Sequence, residues 1–165
     1  MTKEKICELD EFKKEYEKLR KKHNLPSFNE LNKDFSIERV CEIETDFLLK
    51  EVRKSMADKI FDYLRFVETL LHPINAPMFY FSILKTLNNE DKKILGETYK
   101  ELVESEIDFV EVDLEYSEEQ EAKAIKKSYE KWQNVKKNLL RIINTVKKNW
   151  GSKFEPSSNN KGYFG

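Results

Sequence analysis

Glycine and proline are scarce, at four residues each in a chain of 165. Sandwiches, barrels and Gly-rich nucleotide loops need positive-φ positions or tight turns, so this shortage argues against all three. Histidine and cysteine are scarcer still, at two each. Neither His23 nor His72 follows a Glu by three positions, which removes the Glu-x-x-His pairs of di-iron bundles. Cys7 and Cys41 have no metal-ligand spacing and are too few for a disulfide framework, so each reads as a reduced thiol. No P-loop, dinucleotide fingerprint, HExxH pattern or serine-nucleophile motif occurs. The chain also lacks an N-terminal apolar signal and any window approaching the roughly 18 apolar residues of a bilayer span. The expectation is a soluble, cytoplasmic protein with no membrane partner.

What is present is charge and regularly spaced apolar residues. Asp, Glu, Lys and Arg make up 37% of the chain and mean hydropathy is −0.74, yet 39% is hydrophobic and 20 residues are aromatic, enough apolar surface to fold. The length suits one domain. An all-α fold with a heavily charged exterior follows. The net charge of −1 conceals an asymmetry, because the stretch from Glu121 onward holds eleven Lys or Arg against three Glu. The molecule is dipolar along its chain.

Start and stop signals divide the chain. Asp10 is positioned to cap a helix over about 10–23 that carries Phe12, Tyr16 and Leu19, and Asn24 and Pro26 end it. Ser27 and Glu30 form a capping box for a short helix with Leu31 and Phe35, and Ser36 is the expected cap of the next. That next helix is predicted to run unbroken from Ile37 to Leu71 as a spine, with a bend near Glu44–Asp46. HPINAP (72–77) stops it. MFYFSILKTL (78–87) is apolar on most faces and reads as a buried connecting helix, with a strand as the alternative. Asn88 or Asn89 then caps a helix to about Val112. Ser117 and Gln120 form a second box before a long stripe from Ala122 to Trp150, which Gly151 is expected to stop.

Together these elements predict an elongated antiparallel bundle of about four main helices plus the short capping-box helix, with coiled-coil-like packing in one domain over 1–150. The alternative is a helical hairpin of the 37–71 and 118–150 helices crossed by shorter ones. Residues 151–165 have the composition of a flexible C-terminal tail.

The segment LPSFNELNKDFSIE, residues 25–38, and the stretch Leu70–Pro73 resemble a set of uncharacterised archaeal helical proteins. The resemblance runs from about residue 12 to Trp150 and agrees with a cytoplasmic location. It implies no activity, cofactor or catalytic residue.

Four features qualify as candidate surfaces. The last helix offers a basic face, Lys126, Lys127, Lys136, Lys137, Arg141, Lys147 and Lys148, able to track a phosphate backbone or simply to be solvated. The run Glu97–Glu119 offers an acidic docking face, Glu101, Glu104, Asp108 and Glu111, which is otherwise a solvated face paired with the basic helix across the bundle. Phe154, Tyr163 and Phe164 are tail anchors for a partner groove, unless Phe154 packs back near Trp150. Glu106 interrupts an apolar stripe and, if buried, needs a partner such as Arg53 or Arg65.

The resulting expectation has no catalytic residue, no cofactor and no metal. It is a non-enzymatic protein-binding adaptor or assembly component, with homo-oligomerisation open. An RNA- or ribosome-associated factor using the basic helix is the alternative, and an enzyme near Glu106 or His72 a third class.

Overall fold

The computed structural model describes residues 3–43 and 45–154, with side chains at 9–43 and 45–150. Among the described residues every element is helical, which establishes the all-α fold. The elements are α1 (Lys3–His23), α2 (Phe28–Phe35), a 3₁₀ segment (Ile37–Glu42), α3 (Leu48–Leu71), α4 (Met78–Thr86), α5 (Asn89–Leu114) and α6 (Glu118–Phe154).

Helix α1 begins well before Asp10, which lies inside it. Nothing in KEKICEL breaks a helix, so the available cap goes unused. The C-terminus is a Schellman arrangement: Asn24 turns left-handed at φ 54°, and the Leu25 N–H donates to the Arg20 carbonyl at 3.1 Å. The buried Tyr16 hydroxyl donates to the Pro26 carbonyl at 2.8 Å and fixes the next turn. The Ser27–Glu30 box forms as predicted, with both reciprocal bonds present.

Two predicted elements are corrected. Ser36 does not cap with its side chain; it ends α2 in the left-handed region at φ 54°. The spine from Ile37 to Leu71 is not one helix but a 3₁₀ segment, an irregular stretch, and then α3. Buried Ile37 and Val40 hold the 3₁₀ segment to the core, whereas the next polar residues have no apolar stripe to keep them helical. Thr45 Oγ1 accepts the Phe47 N–H at 3.0 Å, a local bond that competes with helix.

The middle of the chain turns at HPINAP, where the His72 N–H donates to the Glu68 carbonyl and Asn75 adopts φ 62°. Helix α4 is present, but it is not buried: Met78, Phe79 and Phe81 are exposed, and only Ile83 and Thr86 are buried. Asn88 caps α5 in a reciprocal box with Asp91. The Ser117 hydroxyl accepts the Gln120 N–H at 3.1 Å at the start of α6. Gly151 does not stop α6, which continues to Phe154. A helical glycine costs about 1 kcal/mol and does not break the backbone pattern by itself.

The core lies where α3, α5 and α6 pack on one another, filled by Val52, Met56, Ile60, Leu102, Phe109 and Ile125 among others. Pairings fix the directions. Arg53 meets Glu121 and Tyr63 meets Trp132, so α3 and α6 run parallel. Asp108 meets Lys127 and Glu101 meets Asn134, so α5 runs antiparallel to α6. The N-terminal elements cover the α3–α6 groove, with Phe35 stacked on Trp132 at 5.3 Å. Helix α4 packs on α6 and α3 further along, where Phe66 and Tyr80 stand 6.1 Å apart.

Candidate interaction surfaces

Most of the predicted acidic face is the seam between α5 and α6. Glu101 accepts from Asn134 at 2.6 Å, Glu104 pairs with Lys131 at 2.9 Å, and Asp108 bridges Lys127 at 2.8 Å and Lys131 at 3.5 Å. Helical geometry brings these residues into register, since Glu101, Glu104 and Asp108 recur at three- and four-residue steps on α5 and their partners Lys127, Lys131 and Asn134 do the same on α6. Glu111 differs: it is exposed and has no ion-pair partner among the described residues.

The predicted basic face is divided in the same way. Lys127 lies in the seam, and Lys136 pairs with Asp34, whose buried carboxylate also accepts from Trp132 Nε1 at 3.1 Å. Arg141 reaches Glu90 at 2.8 Å at the start of α5. Lys126 and Lys137 stand on the outer face of α6, followed by Lys148 at the same eleven-residue interval, with Lys147 on the flank. These four have no ion-pair partner among the described residues. Phe154 is the last residue of α6, and its side chain lies outside the described residues, as do Tyr163 and Phe164.

Buried charge lies at both ends of α5, with Asp91 in its first turn and a buried ion pair beside its last. Arg53 is 1% exposed; its Nε donates to Glu121, itself 0% exposed, at 2.6 Å, and its Nη2 donates to Asp113. Burial pushes the Glu121 carboxyl above the usual carboxylate range, against the pull of Arg53. Glu121 lies within the acidic start of α6, and only its inward orientation sets it apart from Glu118 and Glu119.

Arg53 is therefore not the ion-pair partner anticipated for Glu106. Arg65 is not one either, for its guanidinium lies over the Phe61 ring at 4.5 Å. Glu106 keeps one buried carboxylate oxygen without a hydrogen-bond partner among the described residues. Its carboxyl is pushed up first by burial, then by Asp113 and Asp58, while Arg53 opposes the shift.

Of the remaining polar candidates, Cys41 is half-buried and His23 contacts Glu118 at 2.7 Å. Lys22 and His23 together hold the Glu118 carboxyl below its usual range. His72 caps α3 with its ring 6.5 Å from that of Tyr99. Among the described residues, no group of three or more His, Cys, Asp or Glu is placed to hold a metal ion. A cleft of about 440 Å³ lies between the 3₁₀ segment and α3, lined by residues including Arg39, Lys54, Asp58 and Asp62; Glu106 does not line it.

Two surfaces were not anticipated. Along the outer side of α5, Ile107, Val110 and Leu114 are 61%, 52% and 80% exposed, and half-buried Val103 extends their line. On the other side of the bundle, Ile74, Met78 and Phe79 of the α4 region are exposed beside Trp150, the Phe79 and Trp150 rings standing 6.1 Å apart. Leu140 and Ile143 continue that patch along α6. The signals were in the sequence: 103, 107, 110 and 114 alternate in steps of four and three, and 78–87 is apolar on most faces. The 78–87 helix is expected to be buried, and its exposure shows that an apolar pattern does not reveal which face finds a neighbour.

No helix among the described residues is long and apolar enough to cross a membrane. Comparison of the chain with protein-family models, with curated proteins and with solved structures finds no match.

Proposed function

We propose that this chain is a non-enzymatic binding protein, an adaptor or assembly component of the cytoplasm, acting through apolar helix faces set in charged surroundings. The observation that carries the reading is the α5 stripe, whose Ile107, Val110 and Leu114 are all more than half exposed. Aligned apolar side chains of this kind mark an interaction face, whereas isolated exposed apolar residues are ordinary. Glu106, Glu111 and Glu115 surround the stripe, so a partner helix with basic flanks suits it. The test is affinity capture from native extract with the wild-type chain and with Val110→Arg, at two salt concentrations and with nuclease. A discrete protein retained by wild type through nuclease and lost with Val110→Arg supports the reading; equal capture by both chains refutes it.

Lys126, Lys137, Lys147 and Lys148, without an ion-pair partner among the described residues, favour a second reading, contact with RNA or the ribosome. Charge reversal at Lys126, Lys137 and Lys148 then abolishes a salt-sensitive RNA association. RNA binding that is unchanged by the reversal removes this reading.

A further inference from the structure

The two unanticipated apolar surfaces match in length and oppose each other in charge. The α5 stripe from Val103 to Leu114 is about 16 Å long at 1.5 Å per residue. It lies within a stretch, residues 101–122, that contains ten Asp or Glu and no Lys or Arg. Much of that charge is consumed internally, but Glu106, Glu111 and Glu115 beside the stripe have no ion-pair partner among the described residues. The second surface follows α6 from Leu140 through Ile143 to Trp150, about 15 Å by the same rise, and widens onto α4 through Phe79 and Met78. Residues 131–154 contain seven Lys or Arg and no Asp or Glu, and residues 69–89 contain no Asp or Glu. Lys85, Lys147 and Lys148 border this patch without an ion-pair partner among the described residues.

We infer that the chain associates with copies of itself head to tail, the acid-bordered α5 stripe of one molecule seating on the base-bordered α4–α6 patch of the next. The inference rests on the binding reading above and names its partner. A molecule cannot join its own two surfaces, since the α5 stripe faces away from α6 while the patch lies on α6 and α4. Opposite rims favour unlike pairing, whereas two α5 stripes brought together set carboxylate against carboxylate. Such a contact is heterologous, and it produces either a closed ring or an open chain of molecules. RNA would engage the lysines and leave the α5 stripe in water.

Sedimentation equilibrium of the nuclease-treated full chain over a dilution series, at low and high salt, provides the test. The expected result is a weight-average mass that rises from the 19.8 kDa monomer by at least roughly twofold with concentration and falls again at high salt. Val110→Arg disables the stripe and Ile143→Glu the patch; Ile107→Arg and Met78→Glu are a second pair at other exposed positions. Each variant alone is expected to remain monomeric, while an equimolar mixture of a stripe variant and a patch variant forms a dimer and nothing larger, because each contributes one intact surface. A wild-type chain monomeric throughout the series overturns the inference, as does a mixture that fails to dimerise. Assembly seen only with RNA present overturns it too. A monomer that still captures a discrete protein through Val110 leaves the binding reading standing, so the two failures are distinguishable.

Discussion

At the scale of single residues, the most consequential group is Glu121. Arg53 and Glu121 are each almost wholly buried, so removing Arg53 strands the Glu121 carboxylate in the core, and removing Glu121 takes the acceptor from Arg53 Nε and leaves Asp113 alone to compensate the guanidinium. Glu121→Ala is expected to destabilise by about 3 kcal/mol in urea unfolding. The double change Arg53→Met with Glu121→Leu is expected to return to within about 1 kcal/mol of wild type, since an apolar pair has no charge to strand. Glu106 adds a pH dependence of the same sign as that of Glu121. Its folded-state carboxyl sits above the ordinary range, so the folded chain holds the proton more tightly than the unfolded one. The resulting stabilisation is present in acid and is lost as pH rises through the folded value. Glu106→Gln is therefore expected to be more stable than wild type at neutral pH, with the gap closing below the ordinary carboxylate range. Urea titrations at several pH values measure it, and a gap that widens in acid reverses the sign.

At the scale of elements, local chemistry decided most boundaries. The Ser27 box combines a hydroxyl accepting the Glu30 N–H, a carboxylate accepting the Ser27 N–H, and Leu31 and Phe35 buried behind them. The Ser27 hydroxyl donating to Glu30 Oε2 at 2.6 Å, and after it the Ser27 N–H, hold the Glu30 carboxyl below its usual range. Ser27→Ala is expected to cost about 1 kcal/mol by thermal or urea unfolding, and Ser27→Asn to restore most of it. Boxes and prolines were legible because they act within four residues. The weak stripe near Glu44–Asp46 marked where the break between Glu42 and Leu48 falls, but not that the helix is lost there, for that depends on Ile37 and Val40 docking on the core while Thr45 satisfies a backbone donor locally. Helix α4 shows the opposite limit. Its apolar residues announced a helix, but whether Phe79 is core or surface depends on which neighbours the rest of the chain supplies.

For the whole molecule, the charge asymmetry was visible in the sequence, and its fate was not. The α5 carboxylates and α6 lysines recur at helical spacing, but only antiparallel packing in register decides that Asp108 meets Lys127 while Glu111 faces water. The basic and acidic runs thus serve first to hold two helices together, and only their remainder is available outside. The same seam sets an order of assembly in time. Asp108 and Lys127 are 19 residues apart along the chain, whereas Arg53 and Glu121 are 68 apart. Closing the shorter loop costs less entropy, so the α5–α6 hairpin forms before α3 docks on it. In stopped-flow kinetics, loosening the hairpin with Lys131→Met slows refolding, while Glu121→Ala acts mainly by accelerating unfolding. The α5–α6 hairpin is then the expected unit on which the remaining helices condense.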